Sequence, residues 1–133
     1  MAVENAKGIE IKEAHFPGRA PIDAYGNGGF RFAEMSHRGS LMCLPSGIYG
    51  WDVSSPEELV VKNFEKLFEE VNQIEILLIG SGTDLLPIHP ILRDKLRKAN
   101  ISADPMATGA AVRTYNVLVA ENRAVAAAFL AVE

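Results

Sequence analysis

Only one of the 133 residues is a cysteine, Cys43, so the chain can form no internal disulfide and assemble no cysteine-rich zinc site. A reducing compartment suits it. Basic residues are also scarce: 13 Lys and Arg against 17 Asp and Glu give a net charge of −4 and a pI near 5.4. Neutralising a phosphate backbone needs the opposite excess, so nucleic acid is excluded as a main partner. No apolar run reaches the ~20 residues a spanning helix requires. The first ten residues carry Glu4, Lys7 and Glu10 with no apolar core, unlike a secretory signal or an Arg-rich transit peptide. These absences predict a cytoplasmic, bacterial protein with no transmembrane segment. At 48% hydrophobic residues, the chain reads as a single domain spanning 1–133, with residues 1–8 a flexible start.

The N-terminal half has the Gly, Pro and short alternating segments of hairpins. A first strand is predicted where Ile9 and Ile11 alternate with Glu10 and Lys12. A long connection then runs from Pro17 to Gly29, and connections of that length usually carry function. Further strands are expected from Phe30 to near Met35, over Leu41–Leu44 and over Ile48–Asp52, with Ser36–Ser40 as a turn. Ser55, Pro56 and Glu58 form a capping signature for one amphipathic helix, whose stripe is Val60, Phe64, Leu67, Phe68 and Val71. Ile74–Ile79 reads as a buried strand. Then come a helix over Pro90–Ala99, a strand over Ile101–Pro105, a helix over Gly109–Glu121 capped by Thr108, and a buried strand over Ala124–Val132. Such β-α-β succession specifies an α/β fold with a largely parallel sheet covered by helices.

The chemically suggestive loop is Gly80-Ser81-Gly82-Thr83, because glycines after a buried strand let amides approach an anion. It is not a dinucleotide fingerprint: the third glycine is replaced by Leu85, and Leu86-Pro87 delays the helix. Nor is it a nucleotide P-loop. Two readings stay open, a tight structural turn and a small anion site completed by Asn116, Arg123, Tyr25 and Gly28. His15, His37 and His89 are too dispersed for a metal set, so neither a metal nor a cofactor is expected. Cys43, among Leu41, Met42 and Leu44, reads as an inert packed thiol. Tyr115 reads as a buried ring with a hydrogen-bonded hydroxyl. Arg93, Arg97 and Lys98 crowd one helix, either as a solvated face or as a docking surface for an acidic partner. No catalytic triad or carboxylate pair is legible.

Tyr25-Gly26, Gly28-Gly29-Phe30, Gly39-Ser40, Pro45, Trp51, Ile79-Gly80-Ser81-Gly82, Thr114-Tyr115-Asn116 and Glu121-x-Arg123 together resemble a small α/β family. That family includes a mitochondrial respiratory complex I assembly factor, an adipogenesis-associated vertebrate protein, and many bacterial and archaeal proteins of unknown function. The likeness runs from about Ile9 to Val132. It implies a three-layer fold, a mixed sheet flanked by helices, with the hairpin-rich N-terminal portion packed on the same core and at least one antiparallel strand. It also implies a non-enzymatic role, in assembly or maturation of a larger complex, with another assembly factor or a respiratory subunit as partner. The rival reading is a small-molecule or anion binder, or an unrecognised enzyme, using Gly80–Thr83. A third reading pairs apolar strands across a homodimer.

Overall fold

The computed structural model describes residues 16–133. The strand predicted at Ile9–Lys12, the flexible start and His15 lie outside the described residues. Among the described residues, nine strands form two sheets. The larger has the order β1 (Phe16–Pro17), β6 (Gly47–Trp51), β5 (Ser40–Leu44), β9 (Val125–Phe129), β7 (Ile76–Gly80) and β8 (Ser102–Met106). β7 runs parallel to both β8 and β9, whereas β5 pairs antiparallel with β9 and β6. The smaller sheet is a meander of β2 (Ile22–Gly26), β3 (Gly29–Phe32) and β4 (Met35–Arg38).

Both central strands, β5 and β9, are buried along their whole length. Their alternate side chains therefore supply two cores. Leu41, Cys43, Leu78, Ala127 and Phe129 meet Phe30 and Phe32 of the meander and Val112 and Tyr115 of helix α3 (Thr108–Ala120). On the other face, Met42, Leu44, Leu77, Ala126 and Ala128 meet Phe64 and Leu67 at α1 (Glu65–Phe68) and Leu92 and Leu96 of α2 (Pro90–Lys98). The α/β class, the mixed sheet and the three layers are as the family resemblance implied, with the hairpin-rich portion on the common core. The largely parallel sheet expected from the β-α-β succession is corrected: among the described residues β7 alone pairs in parallel, with β8 and β9, and β1, β6, β5 and β9 pair antiparallel. Each fully buried Leu or Phe contributes about 1.5–3 kcal/mol.

Several local expectations are corrected. Pro17 to Gly29 is not one long loop, since β2 and a two-residue turn at Asn27-Gly28 occupy much of it, with φ of 54° and 78° at the turn. Ser36–Arg38 belongs to strand β4, and the reversal before it uses Ala33 and Glu34, both at positive φ. The helix over Ser55–Val71 is broken into 3-10 turns at Pro56–Glu58 and Val61–Phe64, then α1, then another 3-10 turn at Val71–Gln73. Val60 is extended, with φ −127° and ψ 164°. Competing bonds explain the break: Asn63 Nδ2 donates to the Glu58 carbonyl at 2.7 Å, and Trp51 Nε1 donates to the Asn63 carbonyl at 2.8 Å. The Glu58 carboxylate does accept the Ser55 amide at 3.1 Å and the Ser54 amide at 2.9 Å. Those backbone bonds lower its pKa. Finally, Thr108 does not cap α3; Ala107 precedes the helix without a side-chain cap, and the Thr108 hydroxyl is engaged elsewhere.

Candidate functional site

Gly80 ends β7 against the start of α3, where a Cβ would stand 3.0 Å from both Thr108 Cα and Oγ1. Only glycine permits that approach. Its neighbours then bond inward. The Ser81 amide donates to the Met106 carbonyl at 2.8 Å, and the Gly82 amide to Thr108 Oγ1 at 3.1 Å. Thr108 Oγ1 in turn donates to the Leu130 carbonyl at 2.8 Å. Ser81 Oγ donates to the Asp84 carbonyl at 2.6 Å and accepts the Leu86 amide at 3.0 Å. The Ser81 and Gly82 amides of the expected anion cradle are thus engaged by protein. An adjoining cavity of about 330 Å³ is lined by Thr83, Asp84 and Glu133, with two carboxylates and, among the described residues, no Lys or Arg in its wall. This environment repels anions.

Tyr25 and Gly28 lie at the same end of the molecule as this loop. A Cβ on Gly109 would overlap the Tyr25 hydroxyl, and the Gly28 amide donates to the Val132 carbonyl at 2.9 Å. Asn116 and Arg123 do not join them. Asn116 clamps the meander to α3: its Oδ1 accepts the Ile22 amide and its Nδ2 donates to the Ile22 carbonyl, each at 2.8 Å. Arg123 precedes β9, at the Ile76 end of the β7–β9 ladder, whereas Gly80 pairs with Phe129 at the other end. Roughly 13 Å of strand separates those ends. The Arg123 carbonyl accepts from Arg19 Nη1, and Arg19 Nη2 donates to Asn122 Oδ1 at 3.1 Å.

Arg93, Arg97 and Lys98 are exposed on α2, but Asp94 offsets part of their charge, 3.1 Å from Lys98 Nζ and 3.9 Å from Arg97 Nη1. His89 starts this helix, its Nδ1 accepting the Ile91 amide at 3.2 Å. Cys43 is fully buried, and burial pushes its thiol up to about 12. The Tyr115 ring is buried as expected, yet its hydroxyl has no partner in hydrogen-bonding geometry among the described residues. It sits beside the Cys43 thiol, and burial first, then Cys43, raises its pKa.

Sequence reasoning missed the outer face of the meander. The register sets Ala24, Arg31 and Ser36 in one row and Gly26, Gly29 and Arg38 in the next. Arg31 and Arg38 are therefore diagonal neighbours, with Cβ atoms roughly 7–8 Å apart. Both are exposed and both line a cavity of about 470 Å³. The signal was present in Phe30-Arg31-Phe32, whose alternation buries two rings and turns the cation outward.

Residues 22–130 match the family described as "Protein of unknown function (DUF498/DUF598)". An uncharacterised protein of Rhodobacter capsulatus is 36% identical over 119 residues, covering 90% of each chain. The mouse (Mus musculus) NADH dehydrogenase (ubiquinone) 1 alpha subcomplex assembly factor 3 is 27% identical over 122 residues, 92% of this chain and 66% of the mouse protein. Among solved structures, a Bartonella henselae protein described as an outer membrane protein superposes with a TM-score of 0.86 at 61% identity, covering 89% of this chain and 99% of its own. In the described residues no helix is long and apolar enough to cross a membrane. With most of its sheet and α3 inside the matched span, this chain belongs to the DUF498/DUF598 family.

Proposed function

We propose that this chain acts by protein contact, from the cytoplasm, in assembling a respiratory NADH dehydrogenase complex, and that it catalyses no reaction. The observation carrying this reading is the match of 92% of the chain to the mouse assembly factor. The inward bonding of the Gly80–Thr83 loop supports it, since the most suggestive backbone in the sequence holds β7, α3 and the segment after β9 together. The partner is another assembly factor or a respiratory subunit. The test is deletion of the gene in a bacterium that carries both it and an NADH:ubiquinone oxidoreductase. Membranes of the deletion strain are expected to show reduced NADH oxidation and accumulated subcomplexes on native gels, restored by the intact gene. Wild-type amounts of the full complex without the gene would refute the reading.

A further inference from the structure

We propose that the outer face of the meander binds an acidic segment of a protein partner, whose carboxylates engage Arg31 and Arg38. The inference rests on the assembly reading and supplies the chemistry of its contact surface. Two guanidinium groups held on neighbouring strands repel one another, and an anion between them relieves that repulsion while accepting forked hydrogen bonds. The described residues supply no such anion as an ion-pair partner. Among the described residues the ion pairs are those of Asp94 with Arg97 and Lys98, and neither Arg31 nor Arg38 has one. Asp52 and Glu133 line a neighbouring depression that Arg38 also borders, but they do not line the cavity shared with Arg31.

The surrounding positions leave the cations accessible. Across the two rows, the other residues are Ala24, Ser36, Gly26 and Gly29, none with a side chain long enough to cover a guanidinium. Gly29 is glycine for a separate reason, because a Cβ there would overlap the His37 carbonyl. An extended chain fits this shape better than a phosphate group held by backbone does, since phosphate sites of that kind draw on free amides, whereas β3 here is paired on both sides. It also fits better than a membrane: of the exposed large hydrophobic side chains among the described residues, Tyr25 alone lines this cavity, and Leu85, Leu86, Ile91 and Val117 lie outside it. The basic face of α2 is the weaker rival, being partly neutralised by Asp94.

The test titrates the isotope-labelled full chain with a capped peptide of alternating Glu and Gly, against a Gln-Gly control, and follows backbone amide shifts. Saturable shifts are expected at Ala24, Gly29, Arg31, Ser36 and Arg38. Affinity should fall at least tenfold in the double variant R31E/R38E and in the milder R31Q/R38Q. The double variant R93E/R97E, with the same charge change as R31E/R38E, should change it less than twofold. Shifts centred elsewhere, equal binding of the Gln-Gly peptide, or equal losses in the two charge reversals would overturn the proposal. So would tighter binding at these residues of inorganic phosphate, or of phosphatidylcholine vesicles containing phosphatidylglycerol. In the deletion strain, full complementation by R31E/R38E would sink this surface and leave the assembly role standing. A deletion without phenotype beside intact peptide binding would support the surface and remove the role.

Discussion

Asn116 joins the meander to α3 through one side chain, because the oxygen of its carboxamide accepts from an amide while its nitrogen donates to the carbonyl of the same residue. The backbone of Ile22 receives both bonds, and Ile22 is itself buried. Asn116→Ala leaves a donor and an acceptor unpaired, at about 1–3 kcal/mol for each buried group. Urea unfolding is expected to show a loss of about 2–4 kcal/mol. Asn116→Asp should be no better, as it sets a carboxylate against the Ile22 carbonyl. Cys43 provides a second check at this scale. With its folded pKa pushed up to about 12 from 9.0, the folded state holds the proton more tightly than the unfolded chain does. The corresponding stability is complete below pH 9 and declines as pH rises towards 12. At pH 8 the thiol should resist iodoacetamide until the chain is unfolded in denaturant, and fast labelling of native protein would contradict the buried assignment.

Elements repeat the same logic, and they show where sequence legibility stopped. α2, α3, β7 and β9 were readable from their apolar residues, and the one competing bond inside α3 among the described residues, from the Thr114 hydroxyl to the Ala110 carbonyl, leaves that helix unbroken. The stretch from Ser55 to Val71 has an equally clear helical period, but Asn63 and Trp51 draw carbonyls away from the helix ladder, a contact 12 residues apart that periodicity cannot register. The meander was obscured by its own polarity. β2 shows a single fully buried residue, Ile22, followed by an irregularity before Ala24, so alternation is lost. Its Asn27-Gly28 turn was nevertheless a hairpin signal. Of the anion-site residues, Gly80 to Thr83 were legible as a special turn, but their use was not, because Thr108 and Leu130 reach them only through the fold. Gly82→Ala tests that use. Its φ of 101° strains any L side chain although the space around it is open, so a loss of about 1–3 kcal/mol is expected. Thr108→Val should cost about as much or more, since it removes the partner of the Leu130 carbonyl and the Gly82 amide together, while Thr108→Ser keeps both bonds. Thermal unfolding of the three variants checks the order.

At the scale of the whole molecule, the six-stranded sheet is the common wall of two cores. Successive residues of β5 and β9 face opposite layers, so a strand cannot lose its packing on one side and keep its register on the other. Trp51, the single tryptophan, belongs to the side covered by α1 and α2, edge-on to Phe64 at 5.2 Å between centroids. Phe32 belongs to the opposite side, fully buried under the meander. Phe32→Ala removes a buried ring and should cost about 3–5 kcal/mol. If the shared sheet couples the layers, that loss reaches Trp51 undiminished. Its fluorescence midpoint in urea should shift as far as the circular dichroism midpoint, and Leu92→Ala on the other face should behave alike. A meander that unfolds while Trp51 keeps its wild-type midpoint would mean that the sheet supports two independent units.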